Sequence, residues 1–359
     1  MTLRHIASRV FFTFAGVALS GLLVEGLWRV LPVEWTSERT RFYQYDSQIG
    51  WIGRPNASGT FRTSDFSTWV QLNSKGLRAN EIPYERSHKE RRILVLGDSF
   101  VWGFGVNAED RFTEALQNNL RDTTVINAGV SGYGTDQELL LFSSEGRKYS
   151  ADTVIVTVHL RSDVKNNHSS IQYGSQKPVA WSNNNDLTFK NIPVAMSSWG
   201  QATVKAFQKH SAFLGWLCGR QLKDRKVGTF ISDLVNKLIG DQEPPQIESN
   251  YSPATATCKL ASILAKEIAA SGAQVAFLVV PDVRPDTRVI EEKPEYEEIR
   301  RCLSEMSVTV VDLTKNLSEM LRDDSRTPVV FQHDLHWTPT THKMIGKLLA
   351  EALASTHAK

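Results

Sequence analysis

The chain has 359 residues, 41% of them hydrophobic and 22% charged, with a formal net charge of +2. That length allows a large buried core, in one large domain or two small ones. The near-neutral charge, with no run of Lys and Arg interleaved with aromatics, argues against a nucleic-acid-binding protein.

Residues 10–24 form an apolar run, VFFTFAGVALSGLLV, preceded by Arg4 and Arg9 and followed by Glu25, Trp28 and Arg29. Continued to Leu31, it reaches the roughly twenty residues that span a bilayer. Glu25 and Arg29 are spaced to pair at i, i+4 near the interface. The basic residues ahead of the run favour a cytoplasmic N-terminus. We read a cytoplasmic 1–9 and a single-pass transmembrane signal anchor over 10–31. A cleaved signal peptide, with Ala18-Leu19-Ser20 as the small-residue site, and a buried core helix are the alternatives. The first two put the main domain on the outer side of a membrane, which for a bacterium is the periplasmic side of the inner membrane.

Residues 32–91 alternate short aromatic or β-prone stretches with turns, as in IGWIGRP, GTFRTS and STWVQLNSKGLR. They predict a small strand-rich extension packed on the main domain. SHKERR (87–92) reads as a charged, solvated link.

Strand–helix alternation then begins. Short, nearly all-apolar runs at 93–97, 124–129, 153–158, 275–280 and 308–313 have the pattern of strands buried on both faces. Helical spacing falls at 108–120, 136–148, 254–271, 295–306 and 340–354. Such alternation predicts an α/β domain over 92–355 with a parallel sheet of about five strands. An interval at about 165–250 is too long for a minimal domain of this kind. Its first half is polar and turn-rich and its second half helical in spacing, so it predicts a partly helical inserted cap. Trp181, Trp199 and Trp216 lie in it, either lining a groove or forming the core of the cap. The three cysteines, Cys218, Cys258 and Cys302, show no metal-ligand spacing. Cys258 and Cys302 either pair or, with Cys218, are buried thiols.

Three short segments carry chemistry. Gly97-Asp98-Ser99 follows the first buried strand, where open α/β sheets bind ligands. A serine there is either a helix cap or a nucleophile that needs an adjacent base. Asp334-Leu335-His336-Trp337 stands just before the last helix. An imidazole with a carboxylate two residues away suits a general base and its orienting partner. Asn127-Ala128-Gly129-Val130-Ser131-Gly132 follows the second strand, where glycines permit a sharp turn and can offer an N–H to a developing oxyanion.

In this order, at these strand ends, the segments resemble the blocks of the bacterial SGNH (GDSL-like) hydrolases. GDSFVWGFG (97–105) resembles the first block, NAGVSG (127–132) the second, and Asp334 with His336 the last. The resemblance implies a flavodoxin-like three-layer α/β/α sandwich with no metal or organic cofactor. It also implies Ser99 as nucleophile, His336 as base and Asp334 as its partner. The oxyanion hole would comprise Ser99, Gly132 and Ser162. Ser162, in His159-Leu160-Arg161-Ser162-Asp163, stands where the family carries Asn. Arg161 and Asn166 are alternative donors. The Asp-x-His-Trp form resembles SGNH-like proteins acting on extracellular polysaccharides. The expected activity is ester hydrolysis or O-acyl transfer through an acyl-serine, on an O-acylated carbohydrate or small molecule. The alternatives are a lipase- or thioesterase-like hydrolase and a non-catalytic binding or assembly module. The expected partners are the acylated substrate and, through 10–31, the membrane; no nucleic acid is expected.

Overall fold

The computed structural model describes residues 41–357 apart from 88–89, 184–185, 196–245, 285–287 and 323–327, together with a few helical positions between 15 and 26. Most of the expected span 10–31 and the helical half of the expected cap, with Trp199, Trp216 and Cys218, therefore lie outside the described residues. Among the described residues no helix is long and apolar enough to cross a membrane. The elements numbered below all belong to one compact unit, 42–196 with 244–359.

The unit begins with two antiparallel hairpins, β1 (Tyr43–Asp46) with β2 (Gly50–Gly53) and β3 (Ser58–Arg62) with β4 (Ser67–Gln71). The parallel sheet starts at β5 (Arg91–Gly97), followed by the one-turn helix α1 (Ser99–Trp102) and by α2 (Phe112–Asn118). Then come β6 (Thr123–Gly129), α3 (Thr135–Ser144), β7 (Thr153–His159) and the short α4 (Ser162–Asn166). Two small hairpins follow, β8 (Ile171–Gln172) with β9 (Ser175–Gln176) and β10 (Val179–Asn183) with β11 (Asp186–Lys190). The C-terminal half runs through α5 (Pro253–Ala270), β12 (Gln274–Val280), the hairpin β13 (Asp282–Arg284) and β14 (Val289–Glu291), then α6 (Pro294–Ser304). It ends with β15 (Thr309–Asp312), α7 (Thr314–Arg322) and α8 (Pro339–His357).

The five sheet strands lie in the order β15-β12-β7-β5-β6, all parallel. Counted along the chain this is the 2-1-3-4-5 order of flavodoxin-like folds, whose order reverses between the first and third strands. The reversal falls between β5 and β7, so the turns after Gly97 and His159 face each other across the expected ligand crevice.

Alternation along the strands sorts the core into two layers. Leu94, Leu96, Val154, Val156 and Phe277 face α3, α5 and α6, and the same cluster takes in Phe42, Trp51 and Val70 of the N-terminal hairpins. Ile93, Val95, Ile155 and Leu278 face Phe112 and Leu116 of α2, Leu317 of α7 and Ile345 and Leu349 of α8. The five strands and five helices expected from periodicity are present. Helix α7, 314–322, lies outside the segments whose spacing predicts helices. The Asp312 carboxylate caps that segment by accepting the Thr314 N–H at 2.8 Å, and Leu317 seats it on the core.

The structure changes one sequence expectation and decides between two others. Arg92, read as part of a solvated link, is 1% exposed. Its guanidinium donates to the carbonyls of Tyr84, Glu85 and Tyr149, which fastens the start of β5 to the chain before it. Cys258 and Cys302 are not free thiols but a disulfide joining α5 to α6, with Cα atoms 6.1 Å apart.

His342 of α8 is buried, stacked on Phe112, and accepts the Phe112 N–H on Nδ1 at 3.2 Å. Burial, aided by the charges of His336, Arg78 and Arg111, pushes its pKa down to about 3. The folded chain therefore resists a proton that the unfolded chain accepts below about 6.5. The stability from this group is present above that pH and is lost as pH falls toward 3. We predict that His342→Gln, which keeps an acceptor for Phe112, flattens the pH dependence of unfolding between pH 6.5 and 4 by about one proton, measured by urea denaturation at a series of pH values.

Candidate active site

Ser99 opens α1 one residue beyond a tight turn. The Asp98 side chain caps that turn, accepting the Phe100 N–H at 2.9 Å, and Gly103, with φ 80°, ends the helix. The α1 backbone passes so close to β6 that a Cβ on Gly129 would overlap the Trp102 nitrogen, so no larger residue fits there. Arg78, 1% exposed, underpins the turn from the N-terminal layer. It donates to the carbonyls of Trp102, Gly103, Val106 and Trp69, with its guanidinium over the Trp102 ring. One buried cation thus satisfies four backbone acceptors, two at the end of α1, one just beyond it and one in β4.

Asp334 and His336 arrive on a loop pinned by a bridge between Val330 and Trp337 and by Phe331 N–H donating to the His336 carbonyl. His336 Nε2 lies 2.6 Å from Ser99 Oγ. On its other side Nδ1 bonds Asp334 Oδ1, which also accepts the His336 backbone N–H at 2.9 Å. With Nδ1 donating to a carboxylate, Nε2 is left to accept the serine proton. Partial burial alone would raise the Asp334 pKa; hydrogen bonds from His336 outweigh it and hold the carboxyl below its ordinary value, so Asp334 stays ionised. The Phe104 ring stacks on His336 at 4.3 Å, and Phe100 and the buried Trp337 close the other side.

Gly132 has φ 83°, a left-handed conformation that favours glycine, and the exposed Tyr173 ring lies over its Cα. Asn166 donates its amide to the carbonyls of Gly132 and Tyr133 at 3.4 and 3.3 Å, which braces this turn. Among the described residues, the backbone N–H groups of Ser99 and Gly132 have no hydrogen-bond partner. Both residues line a cavity of about 330 Å³ that also touches His159, Arg161, Lys165, Asp282 and His336. Its size is within the usual range for small-ligand sites.

The structure therefore brings Ser99, Asp334, His336 and Gly132 together. Ser162 lines the same cavity, but its hydroxyl is turned away from the expected role. It donates to Asp98 Oδ2 at 2.8 Å, and a hydroxyl has a single proton to give. Asn166 is occupied with the Gly132 turn, and Arg161 faces Asp282 at 3.6 Å. Trp181 packs in β10 under Lys190 rather than in the cavity wall. Among the described residues no group of His, Cys, Asp and Glu is placed to hold a metal ion.

Sequence reading missed the contribution of the N-terminal hairpins. Phe61 and Phe66 pack with Phe104 and Phe331 in one aromatic cluster beneath the His336 loop. Asp65, at the tip of the β3–β4 hairpin, accepts the His333 N–H at 2.8 Å on one oxygen and bonds His333 Nδ1 at 2.7 Å with the other. No pattern within 59–66 points to a loop some 270 residues away.

No family model matches the chain, and no curated protein matches it. Among solved structures, similarity extends to a putative lipolytic protein of the G-D-S-L family from Desulfitobacterium hafniense, at 10% identity and a TM-score of 0.41, covering 73% of this chain and 99% of that one. A two-domain esterase active on acetylated mannans gives 10% identity and 0.42, covering 75% of this chain and 50% of that one. An acetyl xylan esterase gives 12% identity and 0.39, covering 73% and 98%. These scores are all below 0.5, so the fold rests on the strand order and the site on its own geometry.

The Asp65–His333 contact makes a prediction. Asp65→Ala should slow reaction of Ser99 with a serine-directed phosphonate probe roughly tenfold, because small displacements of a base from its nucleophile are costly, while leaving the thermal midpoint within a few degrees. Stopped labelling time courses with calorimetry test it.

Proposed function

We propose that this chain is an SGNH-like serine ester hydrolase working through an acyl-serine intermediate. The observation that carries the reading is the 2.6 Å contact of Ser99 Oγ with a His336 imidazole oriented by Asp334, beside two unpartnered backbone N–H groups in one cavity. The hydroxyl alone is a poor nucleophile. With Nε2 ready to take its proton, attack on an ester carbonyl becomes feasible at neutral pH. Asp334 stabilises the imidazolium that forms. The Ser99 and Gly132 N–H groups receive the oxyanion, and His336 returns the proton to the departing alcohol. Water entering by the same route releases the acid; a sugar hydroxyl in its place would make the chain an O-acyltransferase.

An O-acylated carbohydrate is the substrate class we favour. The Asp-x-His-Trp form of the last block supports it, as do the polar side chains Arg161, Lys165, Asn166 and Gln172 in the cavity wall. Extracytoplasmic placement is supported by the Cys258–Cys302 disulfide, since such bonds persist in oxidising compartments. The apolar run at 10–24 supports attachment to the inner membrane as a single span.

A fluorophosphonate probe should label the wild-type chain at Ser99 and leave Ser99→Ala unlabelled. His336→Ala should lower turnover of an aryl acetate by a factor on the order of 10⁴ or more. Folded protein that neither labels nor turns over would overturn the reading. Release of acetate from acetylated polysaccharide, assayed beside the aryl ester, tests the substrate class. For the anchor, the full chain should stay with membranes through an alkaline carbonate wash, and a chain lacking 1–31 should not.

A further inference from the structure

With Ser162 bonded to Asp98, the site has backbone donors for an oxyanion but lacks the side-chain donor expected from that position. His159 fits the vacancy. It is the last residue of β7, 6% exposed, and it lines the cavity that contains Ser99. Its position is fixed from both sides of the nucleophile. On one side Ser162 links it to Asp98, accepting nothing from the ring but donating its backbone N–H to His159 Nδ1 at 3.0 Å and its hydroxyl to Asp98. On the other, the Phe100 ring stacks on the imidazole at 4.6 Å with an interplanar angle of 22°. Asp98 and Phe100 are the two chain neighbours of Ser99. The backbone N–H of His159 is in turn held by Asp163 Oδ2 at 2.7 Å.

These contacts settle the tautomer. A ring nitrogen that accepts an N–H bears no proton, so the neutral imidazole carries its hydrogen on Nε2. Burial keeps the ring neutral by pushing its pKa down, more than Asp98 and Asp282 push it up. Among the described residues Nε2 makes no hydrogen bond, and His159 is one of the residues that line the cavity. The result is an uncharged N–H donor on a buried residue of the cavity wall, held by Ser162 and Phe100. A donor of this kind needs no reorganisation as charge develops, which is what makes preorganised donors effective.

We infer that His159, through Nε2–H, is a further catalytic residue, the side-chain donor to the oxyanion formed when Ser99 attacks the ester carbonyl. The inference rests on the ester-hydrolase reading above. No bond to His159 is made or broken: the imidazole donates a hydrogen bond, keeps its proton, and remains neutral through the cycle, while the proton of Ser99 travels by His336.

The test is a kinetic series on an aryl acetate. His159→Phe keeps the stack on Phe100 and removes the donor; His159→Gln offers an amide N–H from a similar position. Expected is a kcat loss of roughly a hundredfold in the Phe variant with KM changed less than threefold, and recovery of at least tenfold of that loss in the Gln variant. Nitrogen NMR of ring-labelled wild-type protein should show His159 protonated on Nε2, with that proton moving downfield when a phosphonate adduct at Ser99 places an anionic oxygen in the site. A Phe variant within threefold of wild-type kcat, a loss confined to KM, no recovery with Gln, or a proton found on Nδ1 would each overturn the assignment and leave the esterase reading standing. A wild-type chain that neither labels nor turns over would overturn both.

Discussion

Both oxygens of the Asp98 carboxylate are occupied, one by the N–H that starts the nucleophile helix and the other by the hydroxyl of Ser162. That single side chain, 3% exposed, ties the turn after β5 to the turn after β7 across the point where the strand order reverses. A buried carboxylate is costly unless its lone pairs are met. Here one of those groups is the N–H of the residue after Ser99 and the other a hydroxyl of the turn after β7, so meeting the carboxylate and placing Ser99 are one geometric requirement. It also accounts for the direction of the Ser162 hydroxyl: its one proton goes to an Asp98 oxygen that would otherwise be buried without a partner.

The same economy of charge recurs behind the site. Asp136 and Lys177 are fully buried and bonded to each other, with burial pushing the acid up and the amine down. Lys177 also donates to the Pro178 carbonyl and Asp136 accepts the Gln137 N–H, so the pair pins the segment leading into β10 against the start of α3. Glu138 and Asp163 lie close enough that each is pushed well above the carboxylate range, first by burial and then by neighbouring acids. A cluster in which some acids stay neutral can be buried without matching every charge by a cation.

How much of this could be read from the chain divides along sequence separation. The five strands were legible because a strand buried on both faces is apolar throughout, and the helices because their periodicity differs. Ser99, Gly132, Asp334 and His336 were legible because each sits in a short segment whose neighbours fix its local geometry. The sequence puts Ser162 in the turn after β7 but does not say where its hydroxyl points, since a serine can turn to either of two partners and only the packing decides. His159 gave no signal at all. Its role depends on which of two ring nitrogens is left open, and the backbone of a residue three positions on settles that. Arg78, Asp65 and Arg92 were hidden for the same reason: each acts on backbone or loop atoms far from it in sequence or unrelated to it by pattern.

Phe42, Trp51 and Val70 share one apolar cluster with the sheet, and two residues that steady the turn after Ser99 and the His336 loop, Arg78 and Asp65, also precede β5. The three motif blocks run only from Gly97 to His336. A chain trimmed to those blocks would keep every reacting atom and lose what holds two of them in register. The boundary drawn by chemistry and the boundary drawn by folding differ here by about fifty residues, counted from Phe42 to Gly97, and transplanting the motifs alone into another α/β scaffold would carry over the reagents without the alignment.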